Sequence, residues 1–184
     1  MNALEWAAAG LGVANVALLV RRSLWNYPFA LAMVSLYAIV FYRARLYSDT
    51  LLQGFFFAAN VYGWQQWLAG RSDNGAVAVR TLSGRARMGW LAAILVLTLG
   101  WGTLMHRLTD AAAPYWDASI AMGSVAAQIL LAKRYVDNWP LWIAVDVAAI
   151  GLYAVKDLPL TAALYGLFLI LACLGWREWA RAAR

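Results

Sequence analysis

Histidine and cysteine are almost missing from these 184 residues: there is one of each, His106 and Cys173. Without a His cluster or a Cys pair there is no metal-ligand spacing, no disulfide framework and no His-based catalytic pair. Glycine-rich phosphate loops are missing too, which removes nucleotide hydrolysis within this chain, and no cofactor is expected. Charge is scarce: Asp, Glu, Lys and Arg together make up 13% of the residues against 64% hydrophobic ones, with a mean hydropathy of +0.62. That leaves too little polar surface for a water-soluble fold of this length. Proline occurs only four times, so the long apolar runs pass uninterrupted.

Seven such runs are present, over residues 3–20, 26–43, 48–68, 88–106, 115–132, 139–155 and 159–177. Each is roughly 18 to 20 residues, the length with which a helix crosses about 30 Å of hydrocarbon. They are continuously apolar rather than alternating, which excludes β-barrel spans. Pro28, Pro114, Pro140 and Pro159 each fall at an expected helix start, where a missing amide hydrogen costs nothing. Glu5, the absence of a basic leader and the Arg21-Arg22 pair after the first run mark it as a span and not a cleaved signal.

Residues 12–67 and 124–179 repeat one pattern at a constant offset of 112. Asn26, Tyr27, Pro28 align with Asn138, Trp139, Pro140, and Gly63, Trp64, Trp67 align with Gly175, Trp176, Trp179. Eleven of the fifteen Lys and Arg residues fall in the connections after helices 1, 3, 5 and 7, so the positive-inside rule puts the carboxyl terminus in the cytoplasm and the amino terminus outside. The net charge of +6 is thus a topology signal, and no nucleic-acid partner is expected. The offset covers an even number of crossings, so the two copies run parallel and need one extra helix between them. The expectation is an all-α integral membrane protein with seven transmembrane helices: a three-helix repeat (1–68), a loop and linker helix (69–113) and a second three-helix repeat (114–184).

The polar residues inside the spans are the candidate site. On the third helix Gln53, Phe57, Asn60, Trp64 and Trp67 follow helical spacing on one face. Amides in hydrocarbon must face protein, water or ligand, so Gln53 and Asn60 are either packing contacts or ligand contacts; Trp67, at the end of its span, reads as an interfacial belt residue. Asp117, Ser124 and Gln128 share a side of helix 5, and Trp139, Trp142, Asp146 and Tyr153 share a side of helix 6. Asp146, an ionisable group in the middle of a span, is a site residue by default, with a structural partnership as the alternative. Glu5 and Asp117, related by the offset, suit helix amino termini. Lys156 and Asp157 read as an interfacial pair, and Arg21, Arg22, Lys133 and Arg134 as anchors. The repeat fails where polarity matters: Gln53 answers to Tyr165, Asn60 to Ala172, Asp146 to Val34 and Gln128 to Val16. A symmetric frame with an unsymmetrical lining suits one asymmetric small molecule.

The Asn138-Trp139-Pro140-x-Trp142 run, the LYAVKDLPLTAALY stretch and the paired GWxxW ends make the chain resemble the PnuC family of bacterial vitamin transporters, over nearly its whole length. The resemblance implies a fold similar to SWEET sugar transporters, a homotrimer in the bacterial inner membrane, and facilitated diffusion of nicotinamide riboside without ion coupling. A separate cytoplasmic kinase would trap the substrate by phosphorylation. Relatives specialised for thiamine, riboflavin or deoxynucleosides keep those substrates open as alternatives. Under this reading Trp64 and Trp142 stack on the base, while Gln53, Asn60, Gln128, Asp146 and Tyr153 bind its amide and ribose hydroxyls. Two other classes stand beside it: a membrane enzyme, which would have only carboxylates and hydroxyls for catalysis, and an assembly protein using the aromatic stripes to bind helices.

Overall fold

The computed structural model describes residues 3–43, 47–70, 77–109 and 113–183. Over these residues the chain forms seven helices, α1 (Ala3–Val20), α2 (Asn26–Arg43), α3 (Tyr47–Ala69), α4 (Gly84–Leu108), α5 (Pro114–Ala132), α6 (Asn138–Val155) and α7 (Pro159–Ala182). Arg45, Arg71 and Arg184, which enter the count of Lys and Arg above, and residues 72–76 of the connection before α4 lie outside the described residues. Pro114 and Pro159 occupy the first helical positions as expected. Helix α4 begins four residues earlier than its apolar run, because Ser83 caps it with a side-chain oxygen accepting from Ala86 N at 3.3 Å. Helix α7 continues past residue 177 because Trp179 on its last turn is buried in the core.

Helices α1, α4, α6 and α7 are each long and apolar enough to cross a bilayer. Leu91, Leu95, Val96, Leu97, Leu99 and Leu104 lie exposed along α4, a surface only lipid or another apolar partner tolerates. The helices form a closed ring in the order α1, α2, α3, α5, α6, α7, and α4 packs outside it on α5 alone.

What fastens the ring is a set of contacts that recur at the offset of 112. The Trp67 indole N–H donates to the Leu131 carbonyl at 3.2 Å, and the Trp179 indole N–H donates to the Leu19 carbonyl at the same distance. Each carbonyl belongs to the last turn of a helix, where it accepts one backbone N–H from the turn that follows and offers its second lone pair to the indole. Tyr27 meets Trp67 edge-on at 5.3 Å, as Trp139 meets Trp179 at 5.5 Å, and Trp67 and Trp179 approach each other at 5.5 Å. Both tryptophans are fully buried, at 0% exposure. The belt reading of Trp67 is therefore corrected: its ring lies in the buried core beside a carbonyl acceptor, not at the lipid surface.

The turns beneath this core match as well. Arg22 and Arg134 sit in the left-handed region, with φ of 56° and 64°. At each, paired backbone bonds (Arg22 N to Leu19 O and Ser23 N to Leu18 O; Arg134 N to Leu131 O and Tyr135 N to Leu130 O) close the helix end in a Schellman turn. The Asn26 and Asn138 amides each bond the carbonyl three residues back at 2.6 Å. Beyond their place at the charged end, Arg22 and Arg134 hold the connections, bonding the carbonyls of Val77 and Gly70. The segment leading to α4 is pinned further: Asp137 accepts from Leu82 N at 2.8 Å and from Arg87 Nε at 2.6 Å, and Arg80 stacks over Tyr135 at 4.5 Å.

Gly63 and Gly175 permit the close approach. A Cβ on Gly175 would lie 2.4 Å from the Trp139 ring, and one on Gly63 would lie 2.9 Å from the Tyr27 hydroxyl. Gly175→Ala is expected to cost about 1–3 kcal/mol by overpacking, while Gly166→Ala, with nothing within 4 Å, holds or raises stability. Thermal melting in detergent checks the contrast.

Candidate functional site

The ring encloses a cavity of about 430 Å³, inside the roughly 300–1,000 Å³ range of small-molecule sites. Its wall runs from Leu19 and Leu131, beneath the tryptophan core, to Glu5 and Thr161 at the far end. All four unlike pairs of the repeat face it on both sides: Gln53 and Tyr165, Asn60 and Ala172, Asp146 and Val34, Gln128 and Val16. Positions equivalent in the frame thus present different chemistry to one space.

Of the expected site residues, the cavity brings together Gln53, Asn60, Gln128, Trp142, Asp146 and Tyr153. Helix α6 aims Trp139, Trp142, Asp146 and Tyr153 inward from successive turns, and Ser124 and Gln128 do the same on α5. Trp64 stands apart: it is not on the wall but stacks on Tyr27, with ring centroids 6.2 Å apart and planes 6° from parallel. On α3 the inward ring is Phe56, while Phe57 is exposed. Asp117 also turns away from the cavity and meets Lys156 at 3.4 Å, so the expected Lys156–Asp157 pair is replaced by one between helices; Asp157 closes the end of α6 at φ 55°.

Asp146 is 4% exposed and no described cation pairs with it. The cavity wall holds two carboxylates, Glu5 and Asp146, and no Lys, Arg or His among its described residues, in a chain with fifteen Lys and Arg against nine Asp and Glu. The rest is aromatic and amide. Tyr153 stacks on Tyr165 at 5.3 Å, Tyr165 meets Phe168 edge-on at 5.9 Å, and Tyr37 stacks on Phe41 at 5.7 Å, lining the half toward Glu5. Asn60 donates its amide N–H to Phe56 O at 2.8 Å, within its own helix. The sequence reading missed Asn15, Tyr37 and Phe168. Tyr165, as the partner of Gln53 in the repeat, was in view but given no role, and Asn15, the sole carboxamide of α1, was detectable by the rule applied to Asn60.

A helical ring bounded by lipid around a central polar and aromatic cavity defines a multi-pass membrane transporter. The chain belongs to the nicotinamide mononucleotide transporter family, whose profile matches residues 2–181. It is similar to the nicotinamide riboside transporter PnuC of Escherichia coli, 32% identical over 96% of this chain and 83% of that protein. The riboflavin/roseoflavin transporter RibM of Streptomyces davaonensis is 28% identical over 92% of this chain and 80% of its own length. The crystal structure of the vitamin B3 transporter PnuC superposes with a TM-score of 0.81 at 28% identity, covering 98% of this chain and 81% of that one.

A buried carboxylate without a cation destabilises the fold that holds it. Asp146→Asn is therefore expected to keep or raise the thermal midpoint of the ligand-free protein; a midpoint several degrees lower would mark Asp146 as a structural residue.

Proposed function

We propose that this chain carries nicotinamide riboside across the bacterial inner membrane by facilitated diffusion. The observation that carries the reading is the cavity's charge: two carboxylates and, among the described residues, no cationic side chain on its wall. A pyridinium nucleoside suits that wall. The phosphate of a mononucleotide, which favours Arg or Lys, finds neither among the described residues of the wall, so the riboside in the names of the PnuC relatives is favoured over the nucleotide in the family's description. A neutral flavin would gain no charge complement from Asp146. The thiazolium of thiamine meets the same charge criterion and remains the second substrate reading.

Trp142 stacks on the ring, where a cation over an indole contributes roughly 0.5–2 kcal/mol. Asp146 supplies the counter-charge, and Gln53, Asn60, Gln128 and Tyr153 bind the carboxamide and ribose hydroxyls. Trp64 acts indirectly, by bracing Tyr27. The chain is organised as two parallel three-helix units, residues 1–68 and 114–184, joined by 69–113 with its linker helix. The amino terminus is outside and the carboxyl terminus is cytoplasmic. Rocking of one unit against the other exposes the site alternately to each side. The tryptophan core and the pinned segment before α4 support a closed cytoplasmic end in the form described. Three copies associate, and a cytoplasmic kinase phosphorylates the delivered substrate, so net uptake needs no ion gradient.

Purified protein in liposomes is expected to take up nicotinamide riboside saturably without ATP or an ion gradient, with thiamine measured in parallel and no competition from the mononucleotide. Trp142→Ala is expected to weaken apparent affinity by about 2- to 30-fold. No uptake of the riboside, or uptake that requires a gradient, sinks the reading.

A further inference from the structure

Helix α1 is apolar except for Glu5 near its start and one carboxamide, Asn15, near its end. Asn15 lines the cavity, and its Oδ1 is buried without a hydrogen-bond partner. Trp139 Nε1 is in the same condition on the same wall, but its ring is committed to the core contacts with Gly175 and Trp179. The Asn60 amide, by contrast, is bonded within its own helix, and Asn26 is bonded within its turn.

A packing role for Asn15 would show as a bond to a neighbouring helix, and its oxygen makes none. The frame does not require an amide there either: at the offset of 112 the equivalent residue on α5 is Ala127, fully buried. An acceptor held out of water and unpaired costs stability, and on a side chain that lines a cavity that cost is relieved when the amide turns to a donor brought in by a ligand.

We propose that Asn15 is a specificity-determining residue of the transport site, its side-chain oxygen accepting a hydrogen bond from the carboxamide N–H of a cationic nucleoside. The proposal rests on the nucleoside reading above. Depth supports the carboxamide as the donor. Asn15 lies five residues from the end of α1 and Trp142 four residues from the start of α6, so both stand about 6–8 Å from the same end of the bundle. A base stacked on Trp142 lies at the level of Asn15, and of its ring groups only the carboxamide carries an N–H, since the pyridinium nitrogen, bonded to ribose, has no proton to offer.

The test is tryptophan quenching by two ligands in the full-length protein: nicotinamide riboside and 3-acetylpyridine riboside, which keeps the carbonyl and the charge but replaces NH2 with methyl. Asn15→Ala, the residue found at the equivalent position, is expected to weaken nicotinamide riboside roughly tenfold and leave the acetyl analogue within about twofold. The ligand-free thermal midpoint is expected to hold or rise. Asn15→Asp, which keeps an acceptor, is expected to retain the preference for the carboxamide ligand. Equal weakening of both ligands at an unchanged midpoint moves the bond to a ribose hydroxyl and overturns the carboxamide assignment. Unchanged affinity for nicotinamide riboside in Asn15→Ala, or loss of affinity together with a lower midpoint, overturns the role altogether. If wild type itself shows no quenching by nicotinamide riboside, the nucleoside reading fails first and takes this role with it.

Discussion

An indole N–H inside a bilayer has no water to bond, and a carbonyl in the last turn of a helix, even with one turn N–H on it, keeps a second lone pair free. This chain joins the two, twice: Trp67 bonds Leu131 O, and Trp179 bonds Leu19 O, beside the turn bonds from Arg134 N and Arg22 N. The exchange crosses between α3 and α5 and between α7 and α1, the two contacts that close the ring of helices. Gly63 and Gly175 let Tyr27 and Trp139 approach, and those rings brace the indoles. With one end of the ring closed in this way, the space above it is left as a cavity.

Pairing of the frame frees the lining to differ. Positions equivalent at the offset of 112 face the cavity from both sides, and one member of each unlike pair is polar or charged while the other is aliphatic or aromatic. A lining that obeyed the repeat would present two equal half-sites. This one presents Asp146 opposite Val34 and Gln128 opposite Val16, a surface with a charged side and an apolar side.

The helices were legible because hydrocarbon thickness fixes their length, and the residues of the unlike pairs were legible because they broke an otherwise regular echo. Errors arose where hydropathy was asked to report contacts. Trp67 reads as an interfacial residue when only its distance from the span's end is counted; its acceptor lies on another helix, which no local pattern records. Phe56 and Phe57 differ by one residue, about 100° of helix, and an idealised stripe chose the outward one. Trp64 has the right spacing, but its ring stacks on Tyr27 instead of facing the cavity. Lys156 had two acids in reach, and the interhelical one, Asp117, is the partner formed.

The central claim is that an unpaired carboxylate in this cavity recognises a cation, and a binding titration tests it most directly. Wild type and Asp146→Asn are each titrated with nicotinamide riboside and with its reduced dihydropyridine form, which has the same shape without the ring charge. The account predicts that the substitution weakens the cation by roughly tenfold or more and the neutral form by far less. Equal weakening of both forms, or no change for the cation, would contradict it.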